Sequence, residues 1–166
     1  MARLVLVGLP ATGKTAVARA LAQAWHCDYV DTDALLEERV GSSAAQYLRH
    51  HGEVAFRDQE LEALREALGQ DAVVSTGGGI VTTPRARTLL AGERTYWLDC
   101  ELDVLMERLG DDDRPLLAEN PREALERLRE QRSAWYGEVS RARIDASGTL
   151  DQVTQRVLDA AEEDVT

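Results

Sequence analysis

Short apolar runs alternate along this chain with longer stretches in which apolar positions recur every three or four residues. Leu4-Val5-Leu6-Val7 is apolar throughout and ends at Gly8, which reads as a strand buried in a parallel sheet. From Lys14 to Trp25 the apolar residues Ala16, Val17, Ala20, Leu21 and Ala24 keep helical spacing. Tyr29-Val30 is a second short strand, ending in Asp31-Thr32-Asp33. Helical patterns follow over about 34–40, 44–50 and 53–68, and Ser43 with Gln46 has the form of a capping box for the second. Ala72-Val73-Val74-Ser75 is another buried strand, followed closely by Gly77-Gly78-Gly79. Thr83-Pro84 places a capping residue before a proline at the first helical position. Thr95 to Leu98 reads as a strand and about 101–109 as a helix.

The polar stretch 110–120 is expected to be a loop. Asn120-Pro121-Arg122-Glu123 then supplies the cap, the proline and the early acid of a helix start, and that helix should run to about Ser140. Ala142 to Asp145 is a last strand, and Thr149 with Gln152 caps a final helix. No repeat and no linker divides the sequence. The expected fold class is therefore α/β, one domain over residues 1–166, with a parallel sheet covered by helices on both faces.

Composition narrows the function. A chain of 166 residues can bury roughly 70% of the surface its unfolded form exposes, enough for one self-sufficient core. It is 44% hydrophobic and 30% charged, and no apolar run is long enough to span a membrane. The N-terminus lacks the apolar region and cleavage site of a signal peptide. Cys27 and Cys100 have neither disulfide-framework nor metal spacing and read as small buried hydrophobes in a reducing compartment. A cytoplasmic protein is expected. The net charge of −11 argues against nucleic acid as a partner, because phosphate backbones need a basic face. An acidic chain can still bind a nucleotide, provided its cations gather at one site.

Gly8-Leu9-Pro10-Ala11-Thr12-Gly13-Lys14-Thr15 fits G-x-x-x-x-G-K-[S/T] in full, between a buried strand and an amphipathic helix. In such a loop successive backbone N–H groups cradle phosphates, and the positive end of the following helix adds to their field. Lys14 would reach the β- and γ-phosphate oxygens, and the Thr15 hydroxyl would ligate Mg²⁺. Of the 19 basic side chains Lys14 is the single lysine, and the other 18 are arginine. A narrow phosphate loop admits a slim stem with a compact ammonium better than a planar guanidinium fork.

The acceptor side is less specific. Asp31 and Asp33 stand one residue apart at the carboxyl end of a strand, where open α/β sheets bind ligands. On an extended strand end both carboxylates would point the same way, one toward Mg²⁺ and one toward a substrate hydroxyl. A helix N-cap with an acid in the first turn is the structural alternative. Gly77-Gly78-Gly79 implies either a ligand close to backbone or a tight turn. Arg57, Arg114 and Arg132 offer guanidinium forks for carboxylate or phosphate oxygens, each against the alternative of a solvated surface. His50 and His51 have no partners at metal spacing and read as surface residues.

Taken together, the loop 8–15, Asp31-Thr32-Asp33, Gly52-Glu53 with Phe56-Arg57, Gly77-Gly78-Gly79, Arg114-Pro115-Leu116-Leu117, and Arg132 with Tyr136 resemble the shikimate kinase family along nearly the whole chain. The resemblance implies a three-layer P-loop NTPase fold with five parallel strands in the order 2-3-1-4-5. It implies phosphorylation of the 3-hydroxyl of shikimate by ATP with Mg²⁺, in a monomer. By matching position, Gly8, Pro10, Ala11, Thr12, Gly13, Lys14, Thr15 and Ala16 would bind ATP. Arg108 and Ser147 would lie near the adenine. Asp33 would hold the acceptor hydroxyl, with Lys14 and Arg114 acting on the transferred phosphate. Arg57 and Arg132, with Glu60 behind them, would grip the carboxylate, and Gly77, Gly78 and Gly79 would face the ring. Thr15 and Asp31 would support the metal, helices over about 33–60 would bind substrate, and about 110–120 would form a mobile lid. A P-loop kinase for gluconate or a nucleoside monophosphate, or a non-catalytic nucleotide-binding module, are the competing readings. The family commonly has glycine where this chain has Ala11, and proline where it has Ala134. If position 11 needs positive φ, alanine there costs about 1 kcal/mol or more.

Overall fold

The structure, a computed structural model, describes residues 1–110 and 120–165. Five strands form one sheet: β1 (Leu4–Val7), β2 (Asp28–Asp31), β3 (Ala72–Ser75), β4 (Thr95–Asp99) and β5 (Ala142–Asp145). All pairings are parallel and the order is β2-β3-β1-β4-β5. The helices among the described residues are α1 (Lys14–Ala24), α2 (Thr32–Val40), α3 (Ala44–Leu68), α4 (Pro84–Ala91), α5 (Leu102–Leu109), α6 (Pro121–Val139) and α7 (Leu150–Glu163). Helices α1 and α7 pack on one face of the sheet, while α3, α4 and α6 cover the other.

The central strand explains the arrangement. Leu4, Val5, Leu6 and Val7 are all fully buried, as a strand covered on both sides requires. Strand β2 is the edge, and Asp28 and Tyr29 are exposed there. Helix α1 turns Val17, Ala18, Leu21 and Ala22 inward, following the spacing read from the sequence. The helix expected over 34–40 begins earlier, at Thr32. The patterns over 44–50 and 53–68 join as α3, with non-helical backbone at Gly52, whose φ of 84° and ψ of 171° lie outside the helical region.

The helix starts mostly match expectation. Ser43 accepts the N–H of Gln46, and Asn120 accepts that of Glu123. Thr149 and Gln152 make a reciprocal capping box. Thr83 precedes Pro84 as expected but makes no side-chain cap hydrogen bond. Among the described residues, no helix is long and apolar enough to cross a membrane.

Candidate active site

Crossing over between β3 and β4, the parallel order opens a cleft beyond the carboxyl ends of the strands. The loop 8–15 enters it from β1. Gly8 (φ 151°) lies so close to the Leu98 carbonyl oxygen on β4 that a Cβ there would collide with it. Thr12 Oγ1 donates to the Leu9 carbonyl at 2.9 Å. The Lys14 ammonium donates to the carbonyls of Gly8 at 2.8 Å and Leu9 at 2.9 Å, and Lys14 is only 8% exposed. Ala11 adopts φ 69°, so alanine does occupy the left-handed conformation that would suit glycine. Gly13 then caps α1, whose first N–H groups have no partner within the helix.

A set of oxygen donors lies behind the loop. Thr15 Oγ1 donates to Asp31 Oδ2 at 3.1 Å and sits 3.2 Å from Ser75 Oγ. Asp31 and Ser75 end β2 and β3 in register, so strand pairing itself brings them together. A carboxylate and two hydroxyls suit a hard cation such as Mg²⁺. Ser75 was not among the expected site residues. Its signal was a single polar side chain ending an otherwise apolar strand.

The two aspartates are arranged differently from a shared extended strand end. The chain turns into α2 at Thr32, making Asp31 its N-cap, and Asp31 Oδ1 accepts the Asp33 N–H at 2.9 Å. Asp33 therefore belongs to the first helical turn. Its carboxylate still lies against Gly77, where an added Cβ would strike Asp33 Oδ1. Thr32 Oγ1 holds the same turn by accepting the Gly77 N–H at 3.1 Å.

The three glycines make room for charged side chains. A Cβ at Gly79 would fall 2.5 Å from an Arg57 guanidinium nitrogen. One at Gly78 would lie 3.0 Å from Pro10 and 3.5 Å from an Arg132 nitrogen. Arg57 donates from one nitrogen to Glu60 Oε1 at 2.9 Å and to the Gly79 carbonyl at 3.3 Å. Arg132 is 5% exposed and Glu60 3%. Burial pushes the Glu60 carboxyl above its ordinary value, and the Arg57 charge opposes that shift. The Nε atoms of Arg57 and Arg132 are both buried without a hydrogen-bond partner among the described residues. Tyr136, one turn beyond Arg132, donates its hydroxyl to the Gly78 carbonyl. Burial pushes that phenol up to about 12, so it stays a donor through the physiological range.

Toward α7, Arg108 donates to the carbonyls of Ala11, Thr12, Ala146 and Gly148, strapping the phosphate loop to the turn after β5. Beside it, a recess of about 210 Å³ is lined by Thr12, Gly13, Val17, Arg108, Gly148 and Leu150. The Ser147 hydroxyl is turned away, donating to Asp145 Oδ1 at 2.7 Å, so the neighbouring Gly148 and Leu150 line that recess instead. Ala134 lies mid-way along α6, and the helix runs through it. Arg114 and most of the expected lid, residues 111–119, lie outside the described residues.

Sequence comparisons point to one family. The fold is shared more widely, a gluconokinase from Sinorhizobium meliloti superposing with a TM-score of 0.66 at 18% identity over 96% of this chain and 91% of that one. The shikimate kinase family model matches residues 10–162. The shikimate kinase of Corynebacterium jeikeium is 43% identical over 148 residues, covering 88% of this chain and 80% of its own. That of Corynebacterium efficiens is 38% identical over 97% of both chains. The structure of shikimate kinase from Acinetobacter baumannii in complex with shikimate superposes with a TM-score of 0.91 at 31% identity, covering 97% of this chain and 93% of that one.

Proposed function

Because the chain belongs to the shikimate kinase family, we propose that it transfers the γ-phosphoryl group of ATP to the 3-hydroxyl of shikimate, giving shikimate 3-phosphate and ADP. The observation that carries this reading is the meeting of Asp33, Arg57 and Arg132 on one glycine turn, with Pro10 of the phosphate loop against the same turn. A carboxylate and two guanidinium groups are the partners that a hydroxylated acid needs.

ATP lays its phosphates in the loop 8–15, and the Lys14 ammonium moves from the Gly8 and Leu9 carbonyls onto the phosphate oxygens. The adenine occupies the recess beside Gly148 and Leu150. Thr15, Asp31 and Ser75 would hold Mg²⁺, which when bound would supply charge neutralisation at the phosphates. Arg57 and Arg132 present their free Nε–H groups to the shikimate carboxylate, and Glu60 fixes the Arg57 fork from behind. Asp33 orients the acceptor hydroxyl. As its oxygen bonds to the γ-phosphorus, the bond to the β-γ bridging oxygen breaks, ADP leaves, and Asp33 accepts the hydroxyl proton. Arg114 is the candidate to meet charge on the transferred group.

Positioning and charge stabilisation supply the rate, since phosphoryl transfer asks little covalent chemistry of a protein. The monomer expected from the sequence is tested by light scattering of the purified protein. The activity is tested by coupled ADP release with shikimate, quinate and gluconate in parallel. Shikimate should give the highest kcat/KM. Equal turnover with gluconate, or ATP binding without acceptor-dependent ADP release, would remove the reading.

A further inference from the structure

Helix α6 carries both Arg132 and Tyr136 into the site, so its rotation about its own axis decides where Arg132 points. One polar contact of α6 lies outside the acceptor pocket. Arg129, one turn before Arg132, donates to Asp99 Oδ2 at 3.4 Å, and Arg143 of β5 pairs with the same oxygen. Asp99 is the last residue of β4, and its side chain is only 2% exposed. Its backbone carbonyl accepts the Ala146 N–H at 2.8 Å, which ties this strand end to β5. The preceding residue, Leu98, provides the carbonyl against which Gly8 packs.

The geometry of α6 makes this anchor consequential. Arg129 and Tyr136 are seven residues apart, close to two turns, so they share one face of the helix. That face meets β4 twice, through Arg129 on Asp99 and through the Tyr136 ring, whose centroid is 5.7 Å from that of Trp97. Arg132 lies between the two contacts and is buried against the glycine turn. Leu125, Tyr136 and Val139 bury α6 in the core, and the Arg129–Asp99 contact adds a polar anchor one turn before Arg132.

We propose that Asp99 is a positioning residue for the acceptor: by holding Arg129 it fixes the roll of α6 and so aims Arg132 at the substrate carboxylate. The inference rests on the role given to Arg132 above. It adds a residue that does not touch substrate and lies at the end of the strand behind the phosphate loop. The carboxylate can do this because it is buried and shared by two guanidinium groups, an arrangement that tolerates few alternative geometries.

The test uses the full-length protein with Asp99→Asn and Arg129→Gln, assayed with shikimate and with its methyl ester. Each variant should raise the KM for shikimate on the order of tenfold, with the KM for ATP nearly unchanged. The ester lacks the carboxylate charge, so its KM should barely move. The double variant should resemble the singles rather than multiply their effects. A drop in Tm with an unchanged shikimate KM would make Asp99 merely structural and overturn the proposal, as would an equal rise in KM for acid and ester. Arg129→Gln alters a partly exposed side chain and carries the test if Asp99→Asn fails to fold. Arg132→Lys separates the two claims. If it leaves the shikimate KM untouched, the carboxylate role of Arg132 falls and this proposal with it. If it raises that KM while Arg129→Gln does not, only the proposal falls.

Discussion

On the nucleotide side of the cleft, the Lys14 ammonium already rests on two carbonyl oxygens of its own loop. On the acceptor side, Arg57 and Arg132 each keep a buried Nε–H with no partner among the described residues. The first region is built from contiguous backbone, and its cation exchanges one set of oxygens for another when phosphate arrives. The second is assembled from α2, α3, the glycine turn and α6, with Arg132 buried and Arg57 half-buried against Glu60. Buried unsatisfied donors cost about 1–3 kcal/mol each, more for charged groups, and an incoming carboxylate removes that cost. Nucleotide binding is thus inscribed in one loop, while acceptor binding draws on donors that the fold gathers from separate elements.

That contrast can be broken experimentally. Lys14→Ala should cause the largest loss, lowering kcat on the order of 10²–10³-fold, because it removes a charge aimed at the transferred phosphate. Steady-state kinetics at saturating ATP checks it, and a loss confined to the KM for ATP would take Lys14 out of the transition state. Arg57→Ala should raise the KM for shikimate roughly 10–100-fold, the range of one charge-assisted hydrogen bond, and leave the KM for ATP alone. An unmoved shikimate KM would end the carboxylate assignment.

Gly79→Ala probes the same guanidinium without removing it. Its Cβ would intrude on Arg57, whose end is flexible, so the KM for shikimate should rise about tenfold while Tm stays nearly constant. Ala11→Gly should do the reverse on the nucleotide side. It relieves a left-handed alanine worth about 1–2 kcal/mol but adds about 0.4–1 kcal/mol of unfolded-chain entropy, so Tm should rise by at most about 2–4 °C in thermal unfolding.

The smallest effect belongs far from the cleft. Arg141 and the Tyr96 hydroxyl hold the Asp164 carboxyl below its ordinary value. A depressed folded-state pKa stabilises the fold above the ordinary carboxylate range, and that stability fades as pH falls through it. Asp164→Asn should therefore lower Tm slightly at neutral pH, with the difference closing in acid and with kcat unchanged. A change in kcat would show that this end of the sheet is coupled to the site.

The nucleotide half was legible in the chain because its residues are neighbours in sequence. Hydrophobic runs gave the strands, capping residues gave most helix starts, and the loop motif joined them. The resemblance also brought Arg57, Arg132 and the glycines together before any coordinates did. Other features depend on pairing across the sheet. Ser75 meets Thr15 only through the register of β2 and β3, and Asp99 meets Arg129 only once α6 lies on β4. The geometry of Asp31 and Asp33 was misjudged because nothing in their spacing says whether the chain continues extended or turns into a helix at Thr32.

A sequence in which eighteen cationic side chains are arginine and one is lysine leaves the folded molecule with a single ε-amine, and that amine sits in the phosphate loop. An acylating reagent selective for amines, ordinarily a blunt surface label, would report on the phosphate loop here. Occupancy of the loop by a nucleotide analogue or by ATP should then be readable by peptide mass mapping, as loss of the acyl group on Lys14.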